Sequence, residues 1–189
     1  MTNQLKHLIR SIFFMYNWDY GVLLALILAV SILFIIFKNL ITSQKIKRPI
    51  ILASFFIYVG LMIYSTLIDR ESSAETSGYC LIPFDSYYQF FNGNRDIMQQ
   101  SIMNVAFFYP FGFLIGCLNF ESLKKRKWII ILFAFTFSLC VEVCQYIFCL
   151  GYAEVDDVIN NTLGAVIGVF AYELLNELVD KIRIQRSKL

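Results

Sequence analysis

Five apolar runs, each near the length that crosses a bilayer, constrain this chain more than any other feature. A helix rises about 1.5 Å per residue, so roughly 20 mostly apolar residues cover a hydrocarbon core about 30 Å thick. The runs occupy residues 21–37 (GVLLALILAVSILFIIF), 50–68 (IILASFFIYVGLMIYSTLI), about 101–118, 128–150 (WIIILFAFTFSLCVEVCQYIFCL) and about 157–175. Backbone groups in lipid must be satisfied within their own segment, which makes each run a helix. The expected fold is all-α: a multi-pass helix bundle of about five transmembrane helices in the cell membrane. The 189 residues are 58% hydrophobic with a mean hydropathy of +0.64, well above the ~45–50% apolar content of a soluble domain. Trp18 and Tyr20 stand at the start of the first run as an interfacial belt. No small-residue cleavage site accompanies that run, so it reads as a retained helix rather than a signal peptide. The preceding LKHLIRSIFFMYNW reads as an interfacial helix.

Lys and Arg set the expected orientation. Lys38, Lys45, Lys47 and Arg48 separate the first two runs, and Lys124, Lys125, Arg126 and Lys127 separate the third and fourth. Lys181, Arg183, Arg186 and Lys188 follow the fifth, so twelve basic residues fall on one side. Lys6, Arg10, Arg70 and Arg95 fall on the other. This bias predicts an outside N-terminus and a cytoplasmic C-terminus. A net charge of +2, with its basic residues beside apolar spans, points to the bilayer as partner and away from nucleic acid. The single histidine, His7, excludes a multi-His metal site and disfavours a His-assisted nucleophile. No metal or cofactor is expected. Of the five cysteines, Cys140 and Cys144 read as small packing residues, and a Cys80–Cys149 disulfide is left open.

Polar residues within the apolar runs mark where function is expected. Glu142 lies well inside the fourth run, with Gln145 and Tyr146 three and four residues on and so on its face. An ionisable group there faces the bundle interior or a wet cavity. In the fifth run Asp157, Asn161, Gly164 and Gly168 form one stripe, with Asp156 and Asn160 beside it. An acid at a helix start caps free N–H groups, which explains one of the two aspartates but not the whole set. Gly164 and Gly168 allow another backbone to approach closely. In the third run Asn104, Phe108, Gly112 and Gly116 recur at four-residue intervals, Pro110 is expected to kink the helix and free a carbonyl, and Tyr109 adds a hydroxyl. The expectation is an outward-facing polar pocket. Asn104, Tyr109, Gln145, Asp156, Asp157 and Asn161 line it, and Glu142 lies near its floor. Pro110, Gly112, Gly116, Gly164 and Gly168 serve helix packing. Glu142 and Asp157 are the candidates for any acid–base role.

These pieces, in order, resemble the VanZ-like family of membrane proteins. LIPF precedes the third run, followed by NVAFFYPFGFLIG within it, EVCQ in the fourth, and EVDDVINNTLGAVIG opening the fifth. The resemblance covers roughly residues 81–172. Together with the apolar runs, which alone supply the first two spans, it gives three expected parts: residues 1–80 with two spans, 81–176 as the VanZ-like domain with three, and a basic tail at 177–189. Two departures stand out: Cys80 replaces an Asn, and Tyr152 follows Gly151 where the family commonly carries Arg. The founding member confers resistance to the acylated glycopeptide teicoplanin. The resemblance therefore implies an envelope protein that binds a lipid or lipid-linked cell-wall component and alters glycopeptide susceptibility. Two other readings stay open. One is a membrane-embedded acid–base enzyme acting on a lipid headgroup or lipid-linked sugar, and the other is a transporter. The oligomeric state is not legible.

Overall fold

The computed structural model describes residues 20–41, 43–73, 77–118 and 127–186. The expected interfacial segment ahead of Trp18, with Lys6, His7 and Arg10, lies outside them, as do Lys124, Lys125, Arg126 and Lys188. Among the described residues the chain forms six helices and two short strands. These are α1 (Tyr20–Leu40), α2 (Gln44–Ile63), β1 (Gly78–Cys80), α3 (Asp85–Phe91), α4 (Arg95–Leu118), α5 (Lys127–Ile147), β2 (Tyr152–Glu154) and α6 (Val155–Arg186). Four helical stretches are long and apolar enough to cross a membrane: Lys45–Ile68, Ile97–Leu118, Trp128–Ile147 and Val155–Ile182. The first expected span is helical as α1, although its described apolar stretch, Ala29–Leu40, is shorter than a span. The chain is thus a membrane-embedded, mostly helical protein, as its apolar runs require. α6 continues through the expected basic tail to Arg186.

The centre of the bundle is the contact between α4 and α6. A Cβ on Gly112 would sit 1.9 Å from the Ala165 carbonyl oxygen, one on Gly164 2.2 Å from that of Val105, and one on Gly168 2.1 Å from that of Tyr109. The two backbones therefore touch, and only hydrogen side chains fit between them. Gly116 does the same against the Tyr172 ring. Paired in this order, the two helices run in the same direction. Aromatic side chains fill the adjoining space: Phe111 stacks on Phe137 at 5.3 Å between centroids and lies buried with Phe108, Ala134 and Val169. Pro110 leaves α4 unbroken from Arg95 to Leu118. Its missing N–H removes the usual donor to the Ala106 carbonyl, and beside that gap the Tyr58 hydroxyl of α2 donates to the Phe107 carbonyl at 2.6 Å.

α1 is pinned to the same pair. The Ser31 and Tyr109 hydroxyls lie 2.9 Å apart. Further along, Lys38 turns inward and is buried, donating to the Tyr172 hydroxyl and to Asn176 Oδ1 at 3.0 Å. Its ammonium also stands 4.3 Å from the Tyr172 ring centroid. A residue that reads as a loop charge in the sequence is thus a tie between α1 and α6.

At the other end of the bundle, the α2–α4 and α5–α6 connections form one cap. α2 closes in a wide π-helical turn, Tyr64–Ile68. Beyond it Ser73 N donates to Cys149 O at 2.9 Å, and Ser72 Oγ to Phe148 O at 3.0 Å. β1 then pairs in parallel with β2, Gly78 opposite Tyr152 and Cys80 opposite Glu154. Cys80 and Cys149 are both free thiols.

Candidate functional site

Asp156 organises the cap. It is buried at the start of α6, and its carboxylate accepts Phe84 N at 2.6 Å and Ser86 N at 2.8 Å. Those amides open α3, which has no side-chain cap of its own. Asp156 therefore caps a neighbouring helix 70 residues upstream rather than its own. Phe84 needs the anchor: its φ of 65° and ψ of 17° place it in the left-handed region, costing about 1–2 kcal/mol for a side chain with a Cβ. Of the expected ligand-binding residues, Asp156 is thus committed to holding the cap together.

Glu142 is 6% exposed and accepts the backbone N–H of Glu154 at 3.2 Å. β2 therefore folds back along α5 until it covers Glu142. Around it the other expected residues find partners of their own. Gln145 Nε2 donates to the Thr66 carbonyl at 3.3 Å, bridging α5 to the end of α2. Asn161 Nδ2 donates to Ser138 Oγ at 2.9 Å, bridging α6 to α5. Asp157, half-buried in the first turn of α6, stands 3.5 Å from Gln100 Nε2 of α4. Glu142, Glu154 and Asp157 are close enough for their charges to act on one another. Among the described residues no group of three His, Cys, Asp or Glu side chains is arranged to hold a metal ion.

The structure places Tyr109 elsewhere, against α1 through Ser31. It lies five residues from Asn104, about 140° around a helix at 100° per residue, so the two share no face. Asn104 and Asn160 are the unusual pair. Asn160 is 0% exposed, and its Oδ1 accepts the Tyr87 hydroxyl at 2.6 Å. Its Nδ2 and that of Asn104 are both buried and meet no acceptor among the described residues. An apolar groove between α5 and α6, lined by Ile130, Ile131, Ala165, Val166, Val169 and Phe170, lies toward the opposite end of the bundle from these groups.

Three contributors escape a reading of the sequence. Ser138 is four residues before Glu142 on the same helix face, so periodicity could have found it. Tyr87 and Arg70 carry no local signal. Arg70 Nη1 donates to the Leu150 carbonyl at 3.4 Å and stands 2.8 Å from where a Cβ on Gly151 would lie. Its positive charge acts on both Glu142 and Asp157. A guanidinium thus stands beside Gly151 although residue 152 is Tyr. The Tyr152 ring packs over Gly78, where a Cβ would meet it at 2.3 Å.

Glu154 lies outside the spanning helices, and burial raises its carboxyl above the usual range. The Ser86 hydroxyl at 3.4 Å opposes this, while the Asp156 and Asp85 charges add to it. A raised folded-state value means that the folded cap holds its proton more tightly than the unfolded chain does. Stability is then greatest at low pH and falls as pH rises from the ordinary carboxylate range through the raised value. Hydrogen-exchange protection of the cap amides, relative to their intrinsic rates, is expected to fall over that window, and Glu154→Gln is expected to flatten the dependence.

Comparison with known proteins follows the same residues. No solved structure matches. The chain is 34% identical over 91 residues to Protein VanZ of Enterococcus faecium, covering 47% of this chain and 53% of that one. It therefore spans about half the length of the curated relative it matches. A model of the VanZ/LLP1 family matches residues 55–176, beginning inside α2, well ahead of Leu81, and taking in the cap, α4, α5 and most of α6. Because that match covers well over half of the sequence, the chain belongs to the VanZ/LLP1 family.

Proposed function

We propose that this protein lies in the cell membrane with its cap end outward, binds a lipid or lipid-linked envelope component there, and lowers susceptibility to teicoplanin. The observation that carries the binding reading is the pair of buried amide groups, Asn104 Nδ2 and Asn160 Nδ2, that no acceptor among the described residues meets. Leaving a buried donor unsatisfied costs about 1–3 kcal/mol, so the site is short of an oxygen acceptor such as a ligand hydroxyl or carbonyl supplies. The neighbouring carboxylates of Glu142 and Asp157 offer complementary acceptors. The outward orientation rests on the Lys and Arg bias, which persists with Lys38 turned inward. The drug reading rests on family membership. An acyl chain on the drug gives a membrane-surface protein a means to discriminate.

The test is drug susceptibility in a Gram-positive host lacking this gene, with wild type, Glu142→Gln, Asp157→Asn and Asn160→Leu at matched membrane levels. Wild type is expected to protect against teicoplanin and not vancomycin, and the variants to lose most of that protection. No shift with wild type sinks the drug reading. Full protection by all three variants removes the site from it. The closeness of Glu142, Glu154 and Asp157 favours a second reading, acid–base catalysis on a lipid headgroup. Under that reading Glu142→Gln abolishes product formation while ligand binding persists.

A further inference from the structure

The connection between α2 and α4 lies between two spanning runs of the sequence, yet its surface is that of a lipid-facing element. Leu81 is 71% exposed, Tyr88 68% and Phe91 83%, and Ile82, Phe84 and Tyr79 are exposed with them. Across residues 78–94, GYCLIPFDSYYQFFNGN, Asp85 is the one carboxylate and there is no Lys or Arg. Asp85 is held within the segment by Gln89 Nε2 at 2.6 Å. An apolar surface of this extent on a loop marks a binding face rather than scattered exposure.

Depth points to the partner. The Glu154 amide of β2 reaches Glu142, five residues before the end of α5 and so about 7 Å down the helix axis. β1 runs beside the same turns, its Tyr79 ring edge-on to Tyr146 at 5.5 Å. The strands therefore lie level with the spanning part of α5, and the exposed Tyr79 adjoins the exposed Tyr146 of that helix. Backbone at that depth must find partners inside the protein. The parallel ladder and the Asp156 carboxylate satisfy part of that need. Tyr79, Tyr88, Tyr146 and Tyr152 give the surface the amphipathic aromatic rings that settle at a headgroup boundary.

We infer that residues 78–94 form a re-entrant cap whose apolar face beds in the headgroup–acyl boundary of the bilayer, with α3 lying along the membrane surface. The polar cluster then borders lipid on its β1–α3 side, and a lipid-linked ligand reaches it sideways. The bilayer is the occupant, rather than a second copy, because the face joins the exposed surface of a spanning helix at Tyr79 and Tyr146 and lies level with it.

The experiment places tryptophan at single positions in a W18F W128F background. Ile82→Trp, Phe91→Trp and the exposed Glu71→Trp are each reconstituted into phosphatidylcholine vesicles. Quenching is measured with lipids brominated near the headgroup end of the acyl chain and with aqueous iodide. The first two variants are expected to show blue-shifted emission and to lose most of it to the brominated lipid and little to iodide, with the reverse for E71W. Iodide quenching of I82W and F91W equal to that of E71W overturns the proposal and puts the segment in water. Quenching by neither agent also overturns it, and assigns the face to protein.

Discussion

Gly112→Ala and Gly164→Ala are each expected to abolish the folded bundle, whereas Gly60→Ala leaves it intact. Overpacking a tight site costs about 1–3 kcal/mol when side chains can adjust. Here the new methyl group meets backbone, the Ala165 carbonyl at 1.9 Å or the Val105 carbonyl at 2.2 Å, and neither can rotate away. The helices must separate, and α6 then loses its register against α4 at Gly168 and Tyr172 as well. Gly60 has nothing within 4 Å, so the same substitution adds only helix propensity, about 0.5–1 kcal/mol in favour of Ala. Thermal stability in detergent, read by size-exclusion of the heated protein, separates the cases. Equal midpoints for Gly112→Ala and Gly60→Ala would refute the backbone-contact account.

Asp156→Ala is expected to release the cap while the bundle persists. It strips the acceptor from two amides at once, at 2.6 and 2.8 Å, each bond to a charged group worth about 1.5–3 kcal/mol. It also frees Phe84 from its left-handed conformation. Amide exchange across residues 84–91 should rise by about two orders of magnitude, as a loss of roughly 3 kcal/mol implies. Exchange in the α4–α6 core should change little. Asp156→Asn keeps one acceptor oxygen and should fall between. Uniform acceleration throughout the chain would mean that the cap and the bundle open together, against this account.

The helices were legible because a bilayer leaves few choices. A run of 20 apolar residues has one way to satisfy its backbone in lipid, and the sequence carries such runs plainly. Glycines four residues apart likewise announce a face on which backbones can meet, although not which helix meets it. The cap was illegible for the opposite reason. Gly-Tyr-Cys has no alternation, and its partner strand lies 74 residues away, so nothing local marks Gly78 as paired with Tyr152. Asp156 shows the limit at the site. Its position at a helix start correctly suggests a cap, but the free amides it serves belong to another helix. Asn104 and Tyr109 are near in sequence, but helical angle separates them. Arg70 has the sequence character of a loop charge, and only the fold sets it beside Gly151.

The tie from Lys38 to Tyr172 and Asn176 bears on how the protein is made. Its partners lie 134 and 138 residues downstream, on a helix synthesised much later. While the chain emerges, α1 carries an ammonium near its end whose final hydroxyl and amide acceptors do not yet exist. Until then the long lysine stem can keep its charge at the membrane surface. Its inward turn waits until α6 enters the membrane. A helix made early therefore reaches its final place only once a much later one has arrived.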